Sequence, residues 1–327
     1  MLRIHFGAGD LARVRFMISP LGETMLSVAV LARHDPQLPL EVWRSEQRSN
    51  LADAPSRLLL SLVPADWRPS LALAPIVGRR PGFTDELDAV LEFRPRPLRA
   101  FLATLDSPAR TARWQALLPD DASSERRFTR DLLSDYHSRC IAEHWPAVRI
   151  HLEGDIAFRS GISATDGIGA VLATLHPAIR WNDPILEVGV AGRSRVLDLG
   201  GRGLVLVPSV FAWPDPIVLL DGTGQPVLLY PARRLPALGQ RPAYHRDALA
   251  VLLGGTRAGL LLAAAGGGST SDLAQQLGVS VASASQHLTA LHKAGLVSRT
   301  RRGQAVHQEL TPLGVQLLLA SGRFTPA

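Results

Sequence analysis

Apolar positions in residues 1–180 recur mainly at helical spacing and are cut by prolines. Leu21, Met25, Val28 and Leu31–Ala32 follow Pro20 at steps of three and four, which predicts a helix over Thr24–Arg33. A polar stretch, Trp43–Pro55, comes next, and the apolar run Arg57–Val63 stops at Pro64. Leu98–Leu105, Ala109–Leu118 and Ser124–Ala142 are further predicted helices, with Arg94–Pro97 as a proline-broken connection. The last of these runs on toward Trp145-Pro146, and Val148–Leu152 extends it only if Pro146 is accommodated.

The pattern shortens after residue 184. Ile185–Val190, Ser194–Leu199, Leu204–Pro208 and two runs flanking Asp221-Gly222-Thr223-Gly224 are short, apolar and bounded by turn residues. With hairpin-type turns at Gly200–Gly203 and Asp221–Gly224, they predict four or five antiparallel strands. Arg233–Pro242 is a polar, proline-containing linker. Helical spacing returns in Ala248–Leu253, in Thr256–Ala265 with Thr256 as its cap, and in Ser269–Leu277 ended by Gly278. Ser280 caps a helix to Lys293, and Val297–Arg301 and Ala305–Leu310 flank a turn at Arg302-Gly303-Gln304. Pro312–Ala320 is a final apolar helix.

Composition narrows the class. A chain of 327 residues suggests about two domains. Its hydrophobic share is 46% and its charged share 20%, as in an ordinary globular protein. One cysteine excludes a disulfide framework within the chain and any multi-cysteine metal site. No apolar run approaches the roughly eighteen residues that would span a bilayer, and Met1–His5 lacks the apolar core of a secretory signal. The expected compartment is therefore the cytoplasm, with no membrane association.

Charge adds more. The formal net charge is +6, from 35 Lys+Arg and 29 Asp+Glu; Lys293 is the single lysine, so arginine abundance reads as coding bias. From residue 241 onward there are eight bases and three acids, whereas the first 240 residues are close to neutral. The excess sits at one end, which points to a polyanionic partner for that end.

The order of helix, glycine turn, helix and basic hairpin in residues 269–310 is that of a winged helix-turn-helix. Leu273, Ala274, Leu277 and Val279 face inward, and Ala284, Leu288 and Leu291 share one face of the second helix. The opposite face shows Ala282, Ser283, Gln286 and Thr289, with Ser285 and His287 at its sides. These small or hydrogen-bonding side chains suit close approach to base edges, and no acid on that face would repel phosphate. Arg299, Arg301 and Arg302 in the hairpin are placed to neutralise phosphates; three contacts per subunit of a dimer would make binding steeply salt-dependent.

Leu252–Arg257, Leu273–Ser280 and Ser285–Val297 together resemble the ArsR-type winged-helix repressors, over about residues 243–318. The resemblance implies a homodimer on a palindromic site in double-stranded DNA. It assigns Val281, Ala282, Ser283, Ser285, Gln286 and His287 to the helix that reads the major groove. It assigns Arg299, Arg301, Arg302 and Gln304 to the wing. The metal-sensing branch is not resembled: Ser269–Gly278 lacks cysteine, and Pro312–Ala320 lacks Asp, Glu and His. The long N-terminal part is similar to that of extended members of the group, and Leu197–Ser209 and Leu228–Arg233 look like their recurring segments.

Other constellations compete. Gly7-Ala8-Gly9-Asp10-Leu11-Ala12 fits G-x-G-x-x-A after a strand at Leu2–Phe6, but Asp10 would face a pyrophosphate and Pro20 cuts the required helix short. A capped turn with Asp10 leading a helix from Leu11 is the better account. His137, Cys140 and His144 would share a helix face at i, i+3 and i+7 and could hold a soft metal, yet a fourth ligand is missing. Gly161–Gly169 carries Ser163, Thr165 and Asp166 without a nucleophile elbow. The six tryptophans, all before residue 240, suit a core or a ligand pocket, and Leu313, Leu317 and Ala320 form an apolar stripe for core or dimer contact.

The expected fold is α+β: a mostly helical N-terminal domain with a small antiparallel β region, then a C-terminal winged helix-turn-helix domain. The expected domains are 1–240, helical to 180 and β-rich over 181–235, and 241–327. The expected function is sequence-specific transcriptional regulation, most simply repression, with no cofactor, no metal and no catalytic residues. A small effector or partner at the N-terminal domain would control it. The alternative is an enzyme or interaction module whose winged helix contacts protein.

Overall fold

Prolines that read as breaks in the pattern are mostly helix starts. Pro20, Pro97 and Pro108 open the helices Pro20–Ala32, Pro97–Leu102 and Pro108–Gln115, and Pro312 opens Pro312–Ser321. A first-turn proline loses only an amide that would have no partner there. Pro146 is likewise the second residue of the helical stretch Trp145–Ala173, which breaks at Gly167 (φ 83°), so a new helix begins beyond Cys140. The computed structural model describes residues 1–7, 9–33, 40–62, 81–93, 96–103, 107–189, 194–212, 214–220, 224–233, 246–302 and 305–321. They form two units: residues 1–142 with 159–233, and residues 143–158 with 234–327.

In the first unit Pro20–Ala32 is buried along nearly its whole length. Its first turn is closed by Ser19, whose hydroxyl accepts from the Gly22 amide at 2.9 Å, and by Glu86, which accepts from the Leu21 amide at 2.8 Å. Its last turn is closed from the polar stretch after Trp43, which is in fact the helix Glu41–Asn50. Arg44 donates to the Arg33 carbonyl at 2.7 Å, and Arg48 donates to the carbonyls of Leu31 and Arg33. The inner face of that helix is Trp43, Arg44 and Gln47, so its amphipathicity is carried by polar side chains that hydrogen-bond. Phe83–Phe93 and Ala122–Cys140 complete the longer helices of this layer.

Two four-stranded sheets lie in the same unit. One runs Ile179–Asn182, Ile185–Val188, Leu2–His5, Arg195–Asp198; the other runs Arg15–Phe16, Val205–Ser209, Val227–Pro231, Ile217–Leu219. The expected strands form, but Arg15–Phe16 and Ile179–Asn182 join the sheets without having been expected, and the pairing is mixed. Leu2–His5 pairs parallel with Arg195–Asp198, and Val205–Ser209 pairs parallel with both Arg15–Phe16 and Val227–Pro231. The reason lies at Gly200–Gly203, which passes the chain from one sheet to the other instead of reversing it as a hairpin. Of the second expected turn, Asp221–Thr223 lies outside the described residues, while its flanking strands pair antiparallel. Ile4, Leu186, Val188, Leu206, Leu228, Val171 and Leu172 form the core around these strands.

The glycine-rich N-terminal motif is a structural clasp. Asp10 is fully buried and accepts from the amides of Gly7 at 2.7 Å and Gly203 at 2.8 Å. The carboxylate thus occupies the amide that a phosphate would need. Leu11–Arg13 is only a short 3-10 turn, and Asp10 makes no side-chain cap on it. Gly203 has φ 71°, and a Cβ there would meet the Arg13 carbonyl oxygen at 2.6 Å.

In the second unit, Ile150 joins Leu260, Leu261, Leu273, Ala284, Leu288, Leu291, Val297, Leu310 and Val315 in one core. Around it lie the helices Gly255–Ala263, Thr270–Leu277, Val281–Lys293 and Pro312–Ser321, and a three-stranded sheet of Val297–Arg302, Ala305–Leu310 and Gly268–Ser269. The α+β class and the C-terminal winged helix are as the pattern predicts. Details differ: Gly254, not Thr256, caps Gly255–Ala263. Val315 and Leu318 face the core from the last helix, while Leu313 is exposed and the Ala320 side chain lies outside the description.

Candidate nucleic-acid interface

The helix Thr270–Leu277 and the turn that leads from it to Val281–Lys293 are fixed by local caps. Ser269 accepts from the Asp272 amide at 3.2 Å, and Asp272 accepts from the Ser269 amide at 2.9 Å, a reciprocal capping box. The Ser269 hydroxyl and amide hold the Asp272 carboxyl below its ordinary value. Gly278 then takes φ 69°, a left-handed position that a side chain enters at a cost, and its geometry turns the chain within two residues. Ser280 starts the second helix by accepting from the Ser283 amide at 3.2 Å. Ala284, Leu288 and Leu291, spaced by four and three, are at most 2% exposed and pin this helix to the core.

The opposite face follows from that burial. Val281, Ala282, Ser285 and Gln286 are exposed, while Ser283, His287 and Thr289 are half-buried at its margins. No acidic residue occurs between Val281 and Lys293. The helix continues into the hairpin through the His292 ring, whose Nδ1 lies 2.9 Å from the Val297 carbonyl. Six facing pairs, from Val297 with Leu310 to Arg302 with Ala305, hold the hairpin in register.

Arg299 and Arg301 are exposed on the first hairpin strand. Arg299 donates to the Thr289 hydroxyl at 2.6 Å, and Thr289 in turn donates to the Ser285 carbonyl at 2.8 Å. The spacing of the sequence gives no hint of this link, because the partners belong to different elements. It fastens the wing strand to the exposed helix and leaves Thr289 with its proton committed. The Arg302 side chain and Gln304 lie outside the described residues. The module also draws on a segment with no helix-turn-helix signature: Arg149 pairs with Glu153 at 3.1 Å on the helix that supplies Ile150.

Residues 261–299 match the family described as bacterial regulatory protein, arsR family. The C-terminal module is an ArsR-family helix-turn-helix. Residues 91–236 match a family of unknown function (DUF5937), so this ArsR-like chain is of the long form, with an additional N-terminal domain. Neither a curated protein nor a solved structure matches the chain. The ArsR-type module makes the chain a DNA-binding transcription regulator. Among the described residues, no helix is long and apolar enough to cross a membrane.

The competing constellations resolve differently. The helix bearing His137 and Cys140 ends at Cys140, so His144 does not continue its face. Cys140 is fully buried, and burial pushes its thiol up to about 12. His137 stacks on Phe83 and meets the Thr24 hydroxyl at 2.9 Å; burial lowers its pKa to about 4. Ser163, Thr165 and Asp166 lie on the Trp145–Ala173 helix, where Thr165 bonds back to the Gly161 carbonyl. Trp43 and Trp114 are core residues whose indoles donate to Cys140 and Ser61; Trp67 and Trp213 lie outside the described residues.

Proposed function

We propose that the chain is a cytoplasmic, homodimeric repressor that binds a palindromic DNA site through its ArsR-type module. Val281, Ala282, Ser283, Ser285, Gln286 and His287 read the major groove, and Thr289 positions Arg299 beside them. Arg299, Arg301, Arg302 and Gln304 contact phosphates and the flanking groove. The observation that supports this most directly is the exposed, acid-free face of Val281–Lys293, tied to a basic strand by the Arg299–Thr289 bond. Gln286 and Ser285 can pair with base edges at close range because the residues around them are small. The N-terminal domain, on binding a small effector, favours one of two conformers that differ in DNA affinity.

The test is a gel shift on DNA flanking the coding gene, repeated at two salt concentrations. Changing Gln286 and Ser283 to alanine should relax sequence preference. Arg301→Ala should weaken binding to all sequences and reduce the salt slope by about one. No salt-steep shift with any local DNA would overturn the proposal.

A further inference from the structure

A groove lies within the first unit between the helices Phe83–Phe93 and Ala122–Cys140. It is an open surface depression of about 490 Å³, lined by Leu91, Glu92, Ser123, Arg126, Arg127 and Arg130. That volume is within the roughly 300–1,000 Å³ of small-molecule sites. Ser123, Arg126, Arg127 and Arg130 stand at i, i+3, i+4 and i+7, so one helix face presents three guanidinium groups and a hydroxyl to the depression.

The charges in this groove are only partly matched. Arg130 pairs with Asp88 across it, both side chains 44% exposed. Among the described residues, no ion pair or side-chain hydrogen bond engages Arg126 or Arg127. Glu92, on the facing helix, also has no cationic partner there. Guanidinium groups on adjacent turns repel one another, and each offers a planar fork of donors that fits a carboxylate or a phosphate.

We propose that this groove binds a small organic anion, carrying carboxylate or phosphate groups, through Arg126 and Arg127. The anion's oxygens take the two open forks, and Glu92 opposes any further negative charge on that wall. This site is the effector site of the regulatory reading above. It rests on that reading only for its coupling to DNA; the binding itself stands apart from it.

The experiment is isothermal titration calorimetry of the full chain at constant ionic strength, with citrate in one arm and inorganic pyrophosphate in the other. One saturable site per chain is expected for at least one probe. The double variant R126A/R127A should bind that probe more than about tenfold more weakly. E92Q should bind it several-fold more tightly, because a like charge is removed. If the double variant does not fold, E92Q alone decides, with unchanged or weaker binding counting against the site.

The proposal is overturned if neither probe saturates, or if the double variant binds as well as the native chain. It is also overturned if the double variant loses DNA affinity in the absence of any anion, since the arginines would then contact nucleic acid. DNA affinity of the native chain without anion is read separately, so failure of the repressor reading and failure of the anion site are distinguishable. The coupled outcome is a change in DNA affinity on adding the probe that R126A/R127A abolishes.

Discussion

Glu23 lies on the most deeply buried helix of the first unit and gives the sharpest prediction. It is 1% exposed; one carboxyl oxygen accepts from the Val210 amide at 3.0 Å, and the other, Oε1, is buried with no hydrogen-bond partner among the described residues. Burial raises its pKa from 4.5 to about 7, against the hydrogen bonds from Ser209, Val210 and Phe211 that favour ionisation. The folded state therefore holds this proton more tightly than the unfolded state. Its stabilising effect is complete below about 4.5 and is lost as pH rises through about 7. At about 1.4 kcal/mol per pH unit, the loss is about 3 kcal/mol. Glu86 is shifted in the same direction, so the native chain alone cannot separate the two.

Glu23→Gln can. Glutamine keeps an acceptor for the Val210 amide and cannot ionise. Urea unfolding, followed by fluorescence of the buried Trp43 and Trp114, should give equal stabilities for native and variant chains at pH 4, below both pKa values. At pH 8.5 the variant should be the more stable, by up to about 3 kcal/mol. A difference that does not change with pH, or a variant less stable at pH 8.5, would refute the reasoning.

Three further outcomes test the C-terminal unit. Ile150→Ala should cost about 2–4 kcal/mol and reduce hydrogen-exchange protection in Val281–Lys293, although residue 150 is distant in sequence; unchanged protection would remove this segment from the module. Gly314→Val should lower stability by about 1–3 kcal/mol in a thermal melt, because a Cβ at 314 collides with the Leu296 carbonyl. Ser280→Ala should cost about 1 kcal/mol of helix stability and weaken DNA binding in a gel shift, since it frees the Ser283 amide.

The winged helix was legible because its periodicity and its punctuation agree. The residues Ala284, Leu288 and Leu291 mark the inner face, and Ser269, Gly278 and Ser280 mark the ends of the helices. The helix Glu41–Asn50 was illegible for the opposite reason: its inner face uses Arg44 and Gln47, and Arg44, with Arg48 beside it, donates to carbonyls at another helix's end. Parallel pairing was hidden because the strand Leu2–His5 meets a partner nearly two hundred residues away, which no local turn announces. The Arg299–Thr289 bond and the place of Ile150 in the C-terminal core likewise depend on contacts between elements, which spacing within one element does not encode.

That core has a consequence for how the chain is made. Residues 143–158 leave the ribosome long before Val315 and Leu318, the last core residues of the same unit. At about 5–20 residues per second, Ile150 waits for about 8–30 s before its partners exist. During that interval Arg159–Ala173, which belongs to the first unit, can already join the strands that follow it. The DNA-binding module is thus completed only after the first unit, and a chain released before Val315 would carry that unit without DNA-binding capacity.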